Sequence, residues 1–239
     1  MVEKTTLCPS VNEIATKNTI QSLKQALDTN TNYSKPYEYI ECQNLFPDHI
    51  LESLQSIQLP HFQYNQGYGA RNIYNKHRHY FNQSNNLKYN SFASVAQAFQ
   101  SSEVIGSIEQ RFKVDLSGLS LRIEFTQDTD GFWLKPHTDI GAKKFTMLIY
   151  ISDGPGHEEL GTDIYAAPNQ HVRACCAKPN SAMAFIPTDS TWHGFEKRPI
   201  EGVRKTAIVN YVTSDWQERG ELAFPSHPVY AASSEKVQS

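Results

Sequence analysis

The residues best suited to chemistry in this chain are His137, Asp139 and His193. Only Thr138 separates the first two. On an extended strand, side chains two apart leave the same face. An imidazole nitrogen and a carboxylate oxygen can therefore reach one metal ion together. The triplet alone carries little weight, because with nine histidines in the chain an H-x-D arises readily by chance. His193 changes the balance. It stands in Thr-Trp-His-Gly, downstream of the apolar run from Ala182 to Ile186. Two histidines and one carboxylate fill one face of an octahedron and leave the other face open, the facial arrangement of non-haem iron(II) centres. A chelating cosubstrate takes two of the open positions and dioxygen the third. Zinc can use the same donors, so the set does not by itself fix the metal.

Arg204 points to the cosubstrate. It follows His193 by eleven positions and opens the run RKTAIVNYV. Arg204, Thr206, Ile208 and Asn210 share one face of that strand. A guanidinium is a planar fork that grips a carboxylate through two hydrogen bonds. A dicarboxylate could thus chelate iron at one end and pair with Arg204 at the other. Without the three metal ligands, a solvent-facing arginine in an Arg-Lys pair is the better reading.

The elements that must position these residues are legible as periodicity. From Leu119 onward, eight short β-rich runs follow one another, split by turn residues: 119–125, 131–139, 144–151, 162–167, 171–177, 181–187, the stretch around 191–195, and 204–212. Such density implies a β-sandwich or jelly roll. Upstream, Tyr37 to Cys42 reads as a strand entering the fold. Pro47-Asp48 announces a helix with Asp48 as N-cap, carrying Ile50, Leu51, Leu54 and Ile57 on one face and stopped by Pro60. Phe92 to Phe99 and Val104 to Phe112 read as packed helices. Helices first and strands second make an α+β domain, mostly β, with the helices buttressing one sheet.

Residues 1–34 read as a polar extension, with a short amphipathic helix through Ile14, Ile20, Leu23 and Leu27 and a loop from Asp28 to Ser34. A single domain then covers 35–217, with its jelly-roll core at about 119–213, and 218–239 reads as a tail tacked down by Phe224, Pro225 and Val229. Residues 61–90 are crowded with Tyr, Asn, Gln and His, and read as a long functional loop with short strands. The net charge of -3 argues against a general nucleic-acid binder. Four cysteines, two of them adjacent and none in C-x-x-C, make a disulfide framework or structural zinc site improbable. No apolar run is long enough for a signal peptide or a membrane span, so a cytoplasmic protein is expected.

With these residues in place, the C-terminal half resembles the 2-oxoglutarate/Fe(II) oxygenase superfamily, in its prolyl-4-hydroxylase-like branch. That family carries H-x-D, a distal His, and a basic residue about ten positions on. The stretch PYEYIECQNLFPDHILESL is similar to its entry strand and first helix. The resemblance implies a double-stranded β-helix (jelly roll, cupin-like) with N-terminal buttressing helices. It implies iron(II) on His137, Asp139 and His193, and the distal carboxylate of 2-oxoglutarate on Arg204. Tyr150 falls where prolyl-hydroxylase-like enzymes place a tyrosine that also meets this carboxylate, and Thr146 and Leu148 share its face. A core aromatic is the plainer account of Tyr150. Leu160-Gly161-Thr162-Asp163 stands where the family usually has a Gly-Gly-x-Leu turn. A carboxylate at Asp139, where halogenating relatives have a small residue, implies hydroxylation. The implied activity is hydroxylation of an unactivated C–H bond with dioxygen, releasing succinate and carbon dioxide, with ascorbate as an optional reductant.

Other residues carry less. Arg122 and Glu124 share a face and are expected to be a paired surface strand. Trp133 and Lys135 share parity with His137 and could edge its pocket. His77, Arg78 and His79 suit an anionic substrate, though a solvated loop explains them as well. His61, His157, His171 and His227 have no partner at metal-ligand spacing. Two further readings stay open: a cupin-like dioxygenase without 2-oxoglutarate, in which Arg204 is structural, and a non-catalytic jelly-roll binding protein. The substrate, a small molecule or a peptide, and the oligomeric state are not readable from the sequence.

Overall fold

Ser10 and Glu13 open the first helix with a capping box. Ser10 Oγ accepts from the Glu13 amide at 3.3 Å, and Glu13 Oε2 accepts from the Ser10 amide at 2.6 Å, which satisfies two orphan donors of α1, Val11–Asp28. The computed structural model describes residues 10–61, 69 and 78–232. Helix α1 is longer than the sequence suggested. Its Leu23 and Leu27 enter the main core beside Val95 and Phe99. The expected loop at 28–34 contains a short strand, β1 (Thr31–Tyr33), paired with β2 (Tyr39–Gln43). Helix α2 spans Asp48–Ser56. Pro47 takes the N-cap position without a side-chain bond, so Asp48, expected as the cap, is the first helical residue. From there its charge still favours the helix N-terminus.

Of the expected loop region 61–90, residues 62–68 and 70–77 lie outside the described residues, and so does His77. The remainder forms β3 (His79–Tyr80) and α3 (Gln83–Lys88). Helices α4 (Asn90–Gln100) and α5 (Ser102–Phe112) follow. All eight C-terminal strands form: β4 (Ser120–Asp128), β5 (Leu134–His137), β6 (Lys143–Tyr150), β7 (Asp163–Ala167), β8 (Gln170–Ala174), β9 (Ser181–Phe185), β10 (His193–Phe195) and β11 (Arg204–Val212).

The strands make two antiparallel sheets. The larger has the order β1-β2-β9-β6-β11-β4-β3, and the smaller has the order β5-β10-β7-β8. The period of two sorts their side chains. Leu121, Ile123 and Phe125 of β4, Phe145, Met147 and Ile149 of β6, and Ala207, Val209 and Tyr211 of β11 join the core with the helices. The fully buried Tyr211 donates from its hydroxyl to the Phe99 carbonyl at 2.7 Å, pinning α4 to β11. The alternate residues face the smaller sheet, where Ile164 of β7 packs with Met183 and Phe185 of β9. All nine residues of β11 are buried, so both faces of this strand are covered.

Arg122 and Glu124 therefore differ from the expected surface pair: they are 3% and 1% exposed. Their parity with Thr206 and Asn210 in the β4–β11 register turns them inward. The tail after β11 is held as well. The Val229 amide donates to the Leu119 carbonyl at 2.9 Å, and Leu222 and Val229 are buried. Residues 233–239 lie outside the described residues.

Candidate metal centre and its cavity

His137 ends β5 and His193 begins β10, and the two stand directly opposite in the antiparallel register. Their ring centroids are 4.4 Å apart. Each ring is fixed through Nδ1 to a backbone carbonyl two residues earlier: Lys135 at 3.0 Å for His137 and Thr191 at 2.9 Å for His193. A carbonyl only accepts, so Nδ1 carries the proton and Nε2 presents its lone pair. This is the tautomer that metal binding through Nε2 requires. Phe185 packs against the His193 ring at 5.0 Å between centroids.

Asp139 follows just after β5. Thr146 Oγ1 donates to its Oδ2 at 2.7 Å, and Lys143 Nζ to its Oδ1 at 2.5 Å. The carboxylate is held from both sides, with its side chain 3% exposed. Ligand atoms of His137, Asp139 and His193 lie within 4.8 Å of one another. The strands thus bring together two imidazole nitrogens and one carboxylate oxygen, as the sequence predicted, and the donor set fits a divalent transition metal.

A cavity of about 80 Å³ opens beside them, between the two sheets. Its walls include His137, His193, Leu148, Thr162, Arg204 and Thr206. Arg204 is brought to this cavity, but in company the sequence did not indicate. Its Nη1 donates to Asp128 Oδ2 at 2.7 Å and its Nε to the Leu160 carbonyl at 2.7 Å. Its guanidinium carbon lies 4.6 Å from the Phe195 ring centroid. Among the described residues no hydrogen bond from Nη2 is found. Burial pushes the Asp128 carboxyl above its ordinary pKa, partly offset by Arg204.

Leu148 lines the cavity, whereas Thr146 serves Asp139 and Tyr150 serves Thr162. The Tyr150 hydroxyl donates to Thr162 Oγ1 at 2.9 Å and accepts the Thr162 amide at 3.0 Å. Burial pushes its pKa well up. Tyr150 thus orients Thr162, which reaches the cavity in its place. Gly161 has to be glycine for a spatial reason: a Cβ there would lie 1.8 Å from the Cys175 carbonyl oxygen.

Trp133 and Lys135 do not edge this cavity; they line a separate groove with Pro136. Simple parity fails because the β5–β10 register shifts between His193 and Phe195. That irregularity puts Leu134 and His137, three apart, on the cavity side. Asp128 and Lys143 were not singled out in the sequence. The run of alternating polar residues through Arg122, Glu124, Thr126 and Asp128 was the available signal. A second cluster, Asp163, His171 and Glu196, also has metal-ligating types in reach. There Asp163 already accepts from Arg198 twice, from His171 and from the Glu196 amide, which leaves no lone pair for an ion.

No protein-family profile and no curated protein matches the sequence. Solved structures do match in fold. A prolyl 4-hydroxylase from Phytophthora capsici superposes with a TM-score of 0.52 at 12% identity, covering 90% of this chain and 69% of that one. The viral collagen prolyl hydroxylase of Paramecium Bursaria Chlorella virus-1, in its 2-oxoglutarate complex, gives 0.52 at 10% identity, covering 73% and 96%. A prolyl hydroxylase from Trichoplax adhaerens, in complex with a hypoxia-inducible-factor peptide, gives 0.51 at 12% identity, covering 85% and 94%. The fold is the expected double-stranded β-helix with N-terminal helices.

Proposed function

We propose that this chain is an Fe(II)- and 2-oxoglutarate-dependent oxygenase that hydroxylates an unactivated C–H bond. The observation that carries the reading is the convergence of His137, Asp139 and His193 beside a cavity whose wall holds His137, His193 and Arg204. The likeness to a prolyl hydroxylase fold solved with 2-oxoglutarate supports it.

In this reading His137 and His193 hold iron(II) through Nε2, and Asp139 holds it through one carboxylate oxygen. Thr146 and Lys143 keep that carboxylate in place. Arg204 takes the distal carboxylate of 2-oxoglutarate through Nη2, and Thr162, oriented by Tyr150, offers a hydroxyl from the same wall. Leu148, Phe132, Leu134 and Phe195 keep the cavity apolar between these polar points, excluding water from the reaction. When bound, iron and 2-oxoglutarate supply the oxidising power, with release of succinate and carbon dioxide. A peptide or a small molecule serves as substrate, and proline has no special claim. A reducing, cytoplasmic setting is consistent with Cys42, Cys175 and Cys176 all being free thiols. No helix among the described residues is long and apolar enough to cross a membrane.

Anaerobic titration with iron(II) and 2-oxoglutarate tests the proposal. A weak visible charge-transfer band that needs both components is expected, together with succinate release in air. One observation favours a second reading: Asp128 already neutralises Arg204. If Arg204 is only structural, the protein is a metal dioxygenase that does not use 2-oxoglutarate, and the band never forms.

A further inference from the structure

Arg204 has three supports. Asp128, on β4 of the larger sheet, takes its Nη1 at 2.7 Å. The other two come from the side of the smaller sheet. They are the Leu160 carbonyl, which accepts from Nε at 2.7 Å, and the Phe195 ring, whose centroid lies 4.6 Å from the guanidinium carbon. Leu160 and Phe195 belong to one small apolar cluster with Ile200. A second arginine, Arg198, reaches both of these supports. Its Nη2 donates at 2.7 Å to the carbonyl of Gly161, the residue after Leu160. Its guanidinium carbon lies 4.3 Å from the centroid of the same Phe195 ring. Two neighbouring carbonyls thus each accept from an arginine, and both arginines lie over one ring.

Arg198 is itself fixed. It grips Asp163 through two bonds, Nη1 to Oδ1 at 3.1 Å and Nη2 to Oδ2 at 2.9 Å, the fork-on-carboxylate geometry that suits a guanidinium. Asp163 is 1% exposed and stands opposite Gly194, the neighbour of His193, in the β7–β10 register. Its Oδ2 also accepts from the Glu196 amide at 2.6 Å, which ties down the chain just after Phe195. The turn has no slack at Gly161, where the Cys175 backbone leaves no room for a Cβ. Arg198 does not line the cavity; it stands behind the residues that do.

We infer, resting on the proposed function, that Arg198 is a positioning residue: it does not touch the cosubstrate, and it sets where Arg204 presents its guanidinium to the cosubstrate carboxylate. Attraction by the Arg198 charge is not an equivalent account, because Asp163 offsets that charge at 2.9 Å. Nor is simple stabilisation. A half-exposed ion pair contributes little to stability, and stability does not require one side chain to contact two of the three supports of Arg204.

The test uses the full chain loaded anaerobically with iron(II), as wild type, Arg198→Met, Arg204→Met and the double variant. Met keeps an apolar stem against Phe195 and removes the fork. The 2-oxoglutarate dissociation constant, read from the charge-transfer band, is expected to rise ~10-fold in Arg198→Met. Iron(II) affinity, read by competition with a chelator, is expected to stay within ~2-fold of the wild type. General loosening of β10 would not give that split, because His193 lies on the same strand. In the Arg204→Met background, Arg198→Met is expected to change 2-oxoglutarate binding by less than ~2-fold. Arg198→Lys, which keeps the charge without the fork, is expected to bind 2-oxoglutarate as weakly as Arg198→Met. The inference is overturned if Arg198→Met or Arg198→Lys binds like the wild type, if iron affinity falls in step with cosubstrate affinity, or if the two arginine substitutions are additive. If the wild type gives no band, the proposed function fails. In that case, or where Arg204→Met binds too weakly to read, the melting temperatures of the same four proteins loaded with zinc decide. Non-additive losses show that Arg198 sets Arg204, and additive losses overturn it.

Discussion

Asp128→Asn separates the two roles open to Arg204. In the structure Asp128 Oδ2 lies 2.7 Å from Arg204 Nη1. A cosubstrate carboxylate on Nη2 would sit across the same guanidinium, so the two negative charges would be about 5 Å apart. At an effective dielectric constant of about 20, their repulsion is about 3 kcal/mol. Burial pushes the Asp128 pKa up, so the carboxylate can take a proton and give back part of that repulsion. A gain of about 1–3 kcal/mol on removing the charge remains, or roughly 10- to 100-fold tighter 2-oxoglutarate. The amide oxygen of Asn still accepts from Nη1, and the Leu160 carbonyl and the Phe195 ring still hold the guanidinium. The variant without ligand nevertheless loses a buried ion pair, and its melting temperature falls. The assay is paired: the dissociation constant from the charge-transfer band, and the melting temperature with and without 2-oxoglutarate. Tighter binding together with a larger ligand-induced rise is the expected result. If stability drops while cosubstrate binding stays the same or weakens, Arg204 is a structural partner of Asp128 and the reasoning is wrong.

The pH dependence follows from the same pair. An acid whose folded pKa lies above its ordinary value, 3.8 for Asp128, holds more protons folded than unfolded, so its contribution to stability falls as pH rises through that window. A bound carboxylate raises the pKa further; 2-oxoglutarate affinity is expected to weaken with rising pH, and Asp128→Asn to flatten that slope in titrations at several pH values. Thr146→Val removes the hydroxyl that holds Asp139 at 2.7 Å, and iron(II) affinity measured by competition with a chelator is expected to fall ~10- to 100-fold; unchanged affinity would show that the hydroxyl is dispensable. Gly161→Ala places a methyl group 1.8 Å from the Cys175 carbonyl oxygen, and denaturant titration is expected to show a loss of about 3 kcal/mol or more. Among the described cysteines, alkylation of the native protein is expected at the exposed Cys176, while Cys42, whose pKa burial pushes up to about 12, and the buried Cys175 react only on unfolding; peptide mass mapping reads this directly.

The strands were legible because β4, β6 and β11 alternate cleanly, and parity alone placed Arg204, Thr206, Ile208 and Asn210 on one face. The metal ligands were legible because residue type and order survive small errors in strand boundaries. Legibility failed where parity was broken or where neighbours decided the outcome. The register shift opposite Leu134 moved Trp133 and Lys135 away from the cavity. Asp128 was lost because β4 runs three residues past Phe125, the expected end. Arg122 and Glu124 have the composition of a surface pair, and only the residues gathered over them from distant parts of the chain (Arg78, Tyr80, Trp216 and Glu221) make them interior. Tyr150 has the position of a ligand-binding tyrosine, but its hydroxyl is committed to Thr162, a pairing that sequence spacing cannot reveal.

The interior polar row raises the question of why the fold keeps it. Buried ion pairs commonly contribute no more stability than well-packed apolar residues of similar size. Yet Glu124, Arg122, Asn210, Thr146 and Asp139 form one unbroken chain of hydrogen bonds, at 2.9, 3.2, 2.9 and 2.7 Å. Asn210 is its hinge: fully buried, it accepts from Arg122 and donates to Thr146. Every side chain in it comes from an inward position of β4, β11 or β6, except Asp139 at its end. A row of this kind departs from what packing alone selects, and such departures concentrate at functional sites. Its two ends are the carboxylate that Arg78 covers and the carboxylate that completes the metal-ligand set. The same rigid strands that fix the Asp139 carboxylate therefore also fix the charged wall beside it, so neither can shift without the other.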